Sequence, residues 1–167
     1  MEVMEVIKSR RSIRKFRPVP IEPDKMKRIE EAFRLAPSAR NGQCWKLLVV
    51  TNRAIKEKIR EASPSKHTMI TEAPIVLVGI CTSQRLMTNG HRVDSVDVSI
   101  AMSFAMLEAH SLGLGTCWMA NYHEQEVRKA LGLADDISVV AIMPLGYADE
   151  SPSARPRKLL DSVVDYV

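Results

Sequence analysis

Cysteine, glycine and aromatic residues are all scarce in this chain, and each scarcity excludes something. Three cysteines, Cys44, Cys81 and Cys117, are odd in number and show no CxxC spacing. That argues against a disulfide framework and a zinc site, and it fits a reducing compartment. Only seven glycines are present. The stretch GLGTCW (113–118) lacks the third glycine of a dinucleotide-binding fingerprint, and a helical pattern precedes it instead of following it. The four histidines (His67, His91, His110, His123) have no metal-ligand spacing, so no metal is expected. No apolar run reaches the length of a membrane span; APIVLVGIC at 73–81 suits a buried strand instead. The opening MEVMEVIKSRR lacks the apolar core of a signal peptide and carries two glutamates. A cytoplasmic protein with no membrane partner is expected.

What is present is enough for one ordinary domain. The 167 residues are 46% apolar and 26% charged, a balance that builds a core. No repeat, low-complexity tract or long linker divides them, so residues 1–167 are read as a single domain. The pattern predicts short helices over 3–9 and from Pro23 onward, where Met26, Ile29, Phe33 and Ala36 keep helical spacing. WKLLVVT (45–51), PIVLVGI (74–80), GTCWMA (115–120) and ISVVAIMPLGY (137–147) read as strands. Asn52 is placed to cap a helix carrying Ile55 and Ile59, and HEQEVRKALGL (123–133) reads as a short helix closed by Gly132. Together these predict an α+β fold of three layers (α/β/α), with a central mixed sheet flanked by helices. Residues 148–158 are polar and proline-punctuated, and LLDSVVDYV closes the chain as a last strand or as an arm, about 148–167, reaching a partner.

One segment breaks the amphipathic rule. From Val93 to Leu112 the spacing is helical, yet Val96, Val98, Ile100, Ala101, Met102, Phe104, Ala105, Met106, Leu107, Ala109 and Leu112 leave almost no polar face. Such a helix must be covered on every side. A 20-residue helix spans roughly 30 Å, which a small domain struggles to enclose alone. A homodimer with this helix at its centre is the simplest solution. Asp94 and Asp97 suit its first turn, where the helix dipole favours acid, and Gly113 or Gly115 ends it.

Charge is the other asymmetry. Net charge is only +4, but six of the ten residues in KSRRSIRKFR (8–17) are Lys or Arg. Arg10, Arg11, Ser12 and Arg14 could bind a phosphate by forked hydrogen bonds, and Arg155, Arg157 and Lys158 form a second basic group. Meeting in space, the two would make a phosphate clamp. A solvated basic edge is the plainer reading of either alone.

RRSIRKF, then APSARNGQCW (36–45), GLGTCWMANYHEQEVRKALGL, PLGY and the closing RPRK follow one another in an order that resembles the flavin-dependent nitroreductase family across essentially the whole chain. The resemblance implies a homodimer with FMN at the interface, each site drawing on both subunits. By position it implies Arg10 and Arg11 at the FMN phosphate, Ser12 at the ribityl chain or phosphate, and Arg14 near the pyrimidine edge. Pro37, Ser38, Ala39, Asn41 and Gln43 would come from the other subunit and border the ring system. Trp118, Met119, Ala120 and Asn121 would pass its reactive edge, with a backbone N–H aimed at N5, while Arg155 and Arg157 complete the phosphate site. Cys44 stands where the family usually has proline, Ala120–Asn121 replaces an acid–glycine pair common in larger relatives, and residues 82–92 leave no room for their inserted helices.

The implied activity is that of an FMN-dependent NAD(P)H oxidoreductase. NADH or NADPH would pass hydride to flavin N5, leave, and be replaced by a small-molecule acceptor of nitro, quinone or enone type, in ping-pong order. No side chain acts as nucleophile, so no catalytic residue is expected beyond the flavin. By the same resemblance Cys44 would lie near that flavin, where redox sensitivity and inert packing, the plainer reading, are both open. A flavin-processing or flavin-binding protein of the same fold is the alternative. A basic nucleic-acid-binding dimer ranks behind it, since Phe16 alone supplies an aromatic inside the cluster; no nucleic-acid partner is expected.

Overall fold

The computed structural model describes residues 2–167; residue 1 lies outside them. In chain order the elements are α1 (Val3–Ser9), α2 (Pro23–Arg34), β1 (Trp45–Val50), α3 (Arg53–Glu61), α4 (Met69–Glu72), β2 (Ile75–Cys81), α5 (Val93–Ser111), β3 (Gly115–Thr116), α6 (Glu124–Leu131) and β4 (Ser138–Gly146). Local chemistry sets several boundaries. Pro23 occupies the first turn of α2, where its missing N–H is not needed. The Asn52 side chain accepts from the Ala54 and Ile55 N–H groups and so caps α3. Gly132 closes α6 in the left-handed region, at φ 65°.

The four strands form one sheet in the order β1-β2-β4-β3. Every ladder between them is antiparallel. The expected mixed character is confined to a single parallel bridge, Ser12 to Thr116. GTCWMA pairs over a shorter stretch than its composition predicts. Gly115 and Thr116 pair with Gly146 and Leu145, but the next partner is Pro144, which has no N–H to return a bond. Cys117 donates to the Pro144 carbonyl at 3.4 Å, and the next backbone bridge to β4 joins Met119 and Ile142.

Strand alternation divides the core in two. Val76, Val78 and Ile80 of β2 face α3, α4 and α6, whereas Ile75, Leu77 and Cys81 face α2 and α5. All of β2 is buried, as expected for a central strand. Gly79 sits under α5, where a Cβ would lie 2.7 Å from Val98 Cγ1 and 2.8 Å from Met102 Cγ. Its lack of a side chain is what lets the helix settle on the sheet. The short α4 was not foreseen: four residues carry too little period to read.

Helix α5 is covered on one side only. Val98, Ala101, Met102, Ala105 and Ala109 are buried, while Phe104 and Val96 remain 42% and 37% exposed. Gly113, at φ 78°, makes the turn after its end. The C-terminal segment forms no strand. It carries a 3₁₀ turn at Leu160–Ser162, and Leu159, Leu160, Val163 and Val164 are all exposed. Of the two readings of LLDSVVDYV, the last strand is not formed.

Candidate functional site

The N-terminal basic segment leaves α1 and runs along the sheet edge. The Ile13 N–H bonds to the Thr116 carbonyl at 2.8 Å, and Arg17 N–H to that of Tyr147 at 2.9 Å. Gly115 makes this approach feasible, because a Cβ there would stand 2.7 Å from Ile13 Cγ1. The residues after β4 are fastened to the same segment. Asp149 N–H bonds to the Lys15 carbonyl at 2.9 Å, and the Glu150 carboxylate accepts from the Lys15 N–H at 3.2 Å and from the Arg14 N–H.

This fastening folds the closing arginines back over the end of α1. Arg10, Arg11, Ser12 and Arg14 then line one cleft of about 670 Å³ with Arg155 and Arg157. Among the described residues, none of these arginines forms an ion pair with a carboxylate. Arg11 is partly committed: its Nη1 donates to the carbonyls of Lys8, Ser9 and Arg10 at 2.8–2.9 Å, covering the C-terminal end of α1. Arg14 Nη1 reaches the Ser12 carbonyl at 3.3 Å. Unneutralised guanidinium groups around a cleft are a site for a polyanion such as a phosphate. They are not a stacking platform for nucleic acid, because Phe16 is buried in the core.

Pro37 to Gln43 form a tight turn between α2 and β1, with a 3₁₀ element over Ala39–Asn41. Arg40, Asn41 and Gln43 adopt positive φ (56°, 53° and 45°) without being glycine. The conformation is held from inside the fold. Both carboxylate oxygens of the buried Asp97 accept from the Ala39 N–H at 3.2 Å, and Ser38 Oγ accepts from the Gln43 N–H at 3.1 Å. Asn41 and Gln43 are exposed on its outer side. Trp45 packs edge-on against Phe33, with centroids 5.8 Å apart, behind the turn.

The third group lies elsewhere. Met119 is buried and tied to Ile142 by reciprocal bonds of 2.8 and 3.0 Å, Trp118 is half-buried, and Ala120 and Asn121 are exposed. Ala120 borders a cleft of about 300 Å³ with Arg92, Asp94 and Tyr122. Burial opposes ionisation of Asp94, but the Arg92 fork (Nε to Oδ1, 3.0 Å), the Ser138 hydroxyl and the Ser95 N–H at 2.8 Å together outweigh it and hold the carboxyl below its ordinary range. Within one chain these groups line three different clefts: the arginines one, Ala39 and Arg40 a second with residues 85–89, and Ala120 a third with Arg92, Asp94 and Tyr122.

Known proteins decide the family. The model of the Nitroreductase family matches residues 7–68 and 62–147, which is most of the chain. The chain belongs to the nitroreductase family. A relative from Methanothermobacter thermautotrophicus, provisionally named NADH dehydrogenase/NAD(P)H nitroreductase, is 35% identical over 159 residues, covering 93% of this chain and 82% of its own. The structure of an FMN-dependent nitroreductase from Clostridium difficile superposes with a TM-score of 0.85 at 29% identity, over 98% of both chains. An NADPH:FMN oxidoreductase from Vibrio harveyi, solved with NAD+, superposes with a TM-score of 0.89 at 26% identity, over 98% of this chain and 76% of that one.

Three residues of this nitroreductase chain make long-range ties that their sequence context did not foretell. Asp97 pins the turn, Glu150 pins the arginine segment, and Tyr147 joins Glu22 and Lys25, its hydroxyl donating to Glu22 Oε2 at 2.6 Å. Each acts through a partner far away in the sequence, and no local pattern announces it.

Proposed function

We propose that this chain is an FMN-dependent NAD(P)H oxidoreductase, working as a homodimer with two flavin sites built from both protomers. The arginine cleft carries this reading. Guanidinium groups from residues 10–14 and 155–157 converge there with no carboxylate ion-paired to them among the described residues, which suits the dianionic phosphate of FMN. The exposed apolar side of α5, at Val96 and Phe104, supports the dimer. A second copy laid on that side would bring its Pro37–Gln43 turn into reach, since Asp97 ties the turn to α5 itself.

Bound FMN would supply the hydride acceptor and donor at its N5. The chain's own work is to bind, orient and charge the site. Arg10, Arg155 and Arg157 hold the phosphate, and the Ser12 hydroxyl adds a neutral donor beside it. Arg14, on the same cleft, would set a positive charge near the ring of a bound flavin and so favour negative charge on it. The Ser38–Gln43 turn would flank the ring with amide groups, and the exposed Ala120–Asn121 segment would supply backbone N–H groups to it. With NADH or NADPH as donor and a nitro, quinone or enone compound as acceptor, ping-pong kinetics would be expected.

The purified protein is expected to be yellow, to bleach with NADH or NADPH under anaerobic conditions, and to recover its colour with a quinone or nitroaromatic acceptor. Arg14→Glu is expected to lose flavin while remaining dimeric. A colourless wild type that takes up no added FMN would overturn the reading.

A further inference from the structure

Cys44 and Cys81 meet at the end of the β1–β2 ladder. Trp45 pairs with Cys81, and the next residue along, Thr82, donates its N–H to the Cys44 carbonyl at 2.9 Å. The two sulfurs lie 2.9 Å apart, one thiol donating to the other. Both cysteines are free, and they differ in access: Cys81 is fully buried, whereas Cys44 is half-buried. Cys44 also directly follows Gln43, the last positive-φ residue of the turn. A bond between the sulfurs would fasten the point where that turn enters the sheet.

We propose that Cys44 and Cys81 form a reversible intramolecular disulfide when the protein meets a peroxide. The Cys44 thiolate attacks one peroxide oxygen. The O–O bond breaks, leaving a sulfenic acid on Cys44 and hydroxide, which takes up the proton that Cys44 gave up. The Cys81 sulfur then attacks the Cys44 sulfur. The S–O bond breaks, the S–S bond forms, and the Cys81 proton leaves with the hydroxide as water. For hydrogen peroxide, two thiols yield one disulfide and two waters, the thiols losing the two electrons that the peroxide gains.

The order of attack follows from environment. Burial and the hydrogen bond with Cys44 push the Cys81 thiol up to about 12, so Cys81 is the resolving partner and not the first thiol oxidised. Contact between the sulfurs offsets the low thiolate fraction of Cys81, since the second step is intramolecular. Cys117 is buried on the β3 side of the sheet with its thiol likewise pushed up by burial, and it takes no part. The pairing itself does not depend on a flavin in the site.

Peroxide-treated protein, quenched in denaturant with a maleimide, tests this directly. Wild type is expected to fall from three labelled cysteines to one, at Cys117, with a non-reducing peptide map linking the Cys44 and Cys81 peptides and dithiothreitol restoring all three labels. Cys44→Ser is expected to keep both remaining thiols at the same dose. Cys117→Ser is expected to lose both of its thiols. The proposal is overturned if all three labels persist at a dose that oxidises a free small-molecule thiol. It is equally overturned if Cys44 gains two oxygens while Cys81 stays labelled, or if the link joins separate chains. The labels are read without reference to colour, so a colourless protein that takes up no added FMN would reject the flavin reading and leave this one standing.

Discussion

Asp94 and Asp97 stand three residues apart at the start of α5 and hold unrelated parts of the molecule. Asp94 is forked by Arg92, while Asp97 reaches the Ala39 N–H across 58 positions of sequence. The sequence supports only their shared fit to a helix N-terminus; which partner each takes depends on a turn whose backbone no local pattern specifies. Removing Asp97 leaves a donor without its partner, a loss worth about 1–3 kcal/mol. Asp97→Ala is therefore expected to lower denaturant stability by that order and to weaken FMN retention, with unchanged values in both measurements counting against its role. His110 offers a test by pH. Burial, then the charges of Arg10 and Arg11, push its imidazole below the ordinary value of 6.5. The unfolded chain thus takes up this proton at higher pH than the folded one. The contribution of neutral His110 is complete above 6.5 and is lost as pH falls toward its folded value. The unfolding midpoint is expected to drop as pH is lowered past 6.5, and His110→Gln to flatten that slope.

At the scale of elements, α5 was legible because composition and period disagreed. Helical spacing with no polar face forces burial on all sides, and one chain covers only one of them. The strands β1, β2 and β4 were legible as dense apolar runs. β3 was not legible at its true length, because its limit is set by Pro144 on the neighbouring strand. A charge on the open side of α5 isolates the helix's second role. Phe104 is 42% exposed and lies outside the buried core, so Phe104→Glu should fold. It is expected to sediment as a monomer and to lose flavin in the same preparation. A Phe104→Glu dimer with full flavin content would place the interface elsewhere.

At the scale of the molecule, the cleft is made by opposite ends of the chain. Sequence composition marked both arginine groups, but their meeting depends on Glu150 and Asp149 fastening the chain after β4 to residues 14 and 15. Strand order was illegible for a similar reason: every pairing joins segments separated by helices. The arginine cleft and the Pro37–Gln43 turn stay apart within one chain. The proposed site takes residues from two chains, and a mixed dimer tests this most directly. One protomer carries Arg14→Glu, which spoils the cleft, and the other carries Ser38→Glu, which spoils the turn. Each variant alone is expected to be colourless. In the mixed dimer, shared sites leave one site with both defects and one with neither, so flavin absorbance should return at half the wild-type stoichiometry, whereas a mixed dimer as colourless as its parents would contradict sites built across the interface.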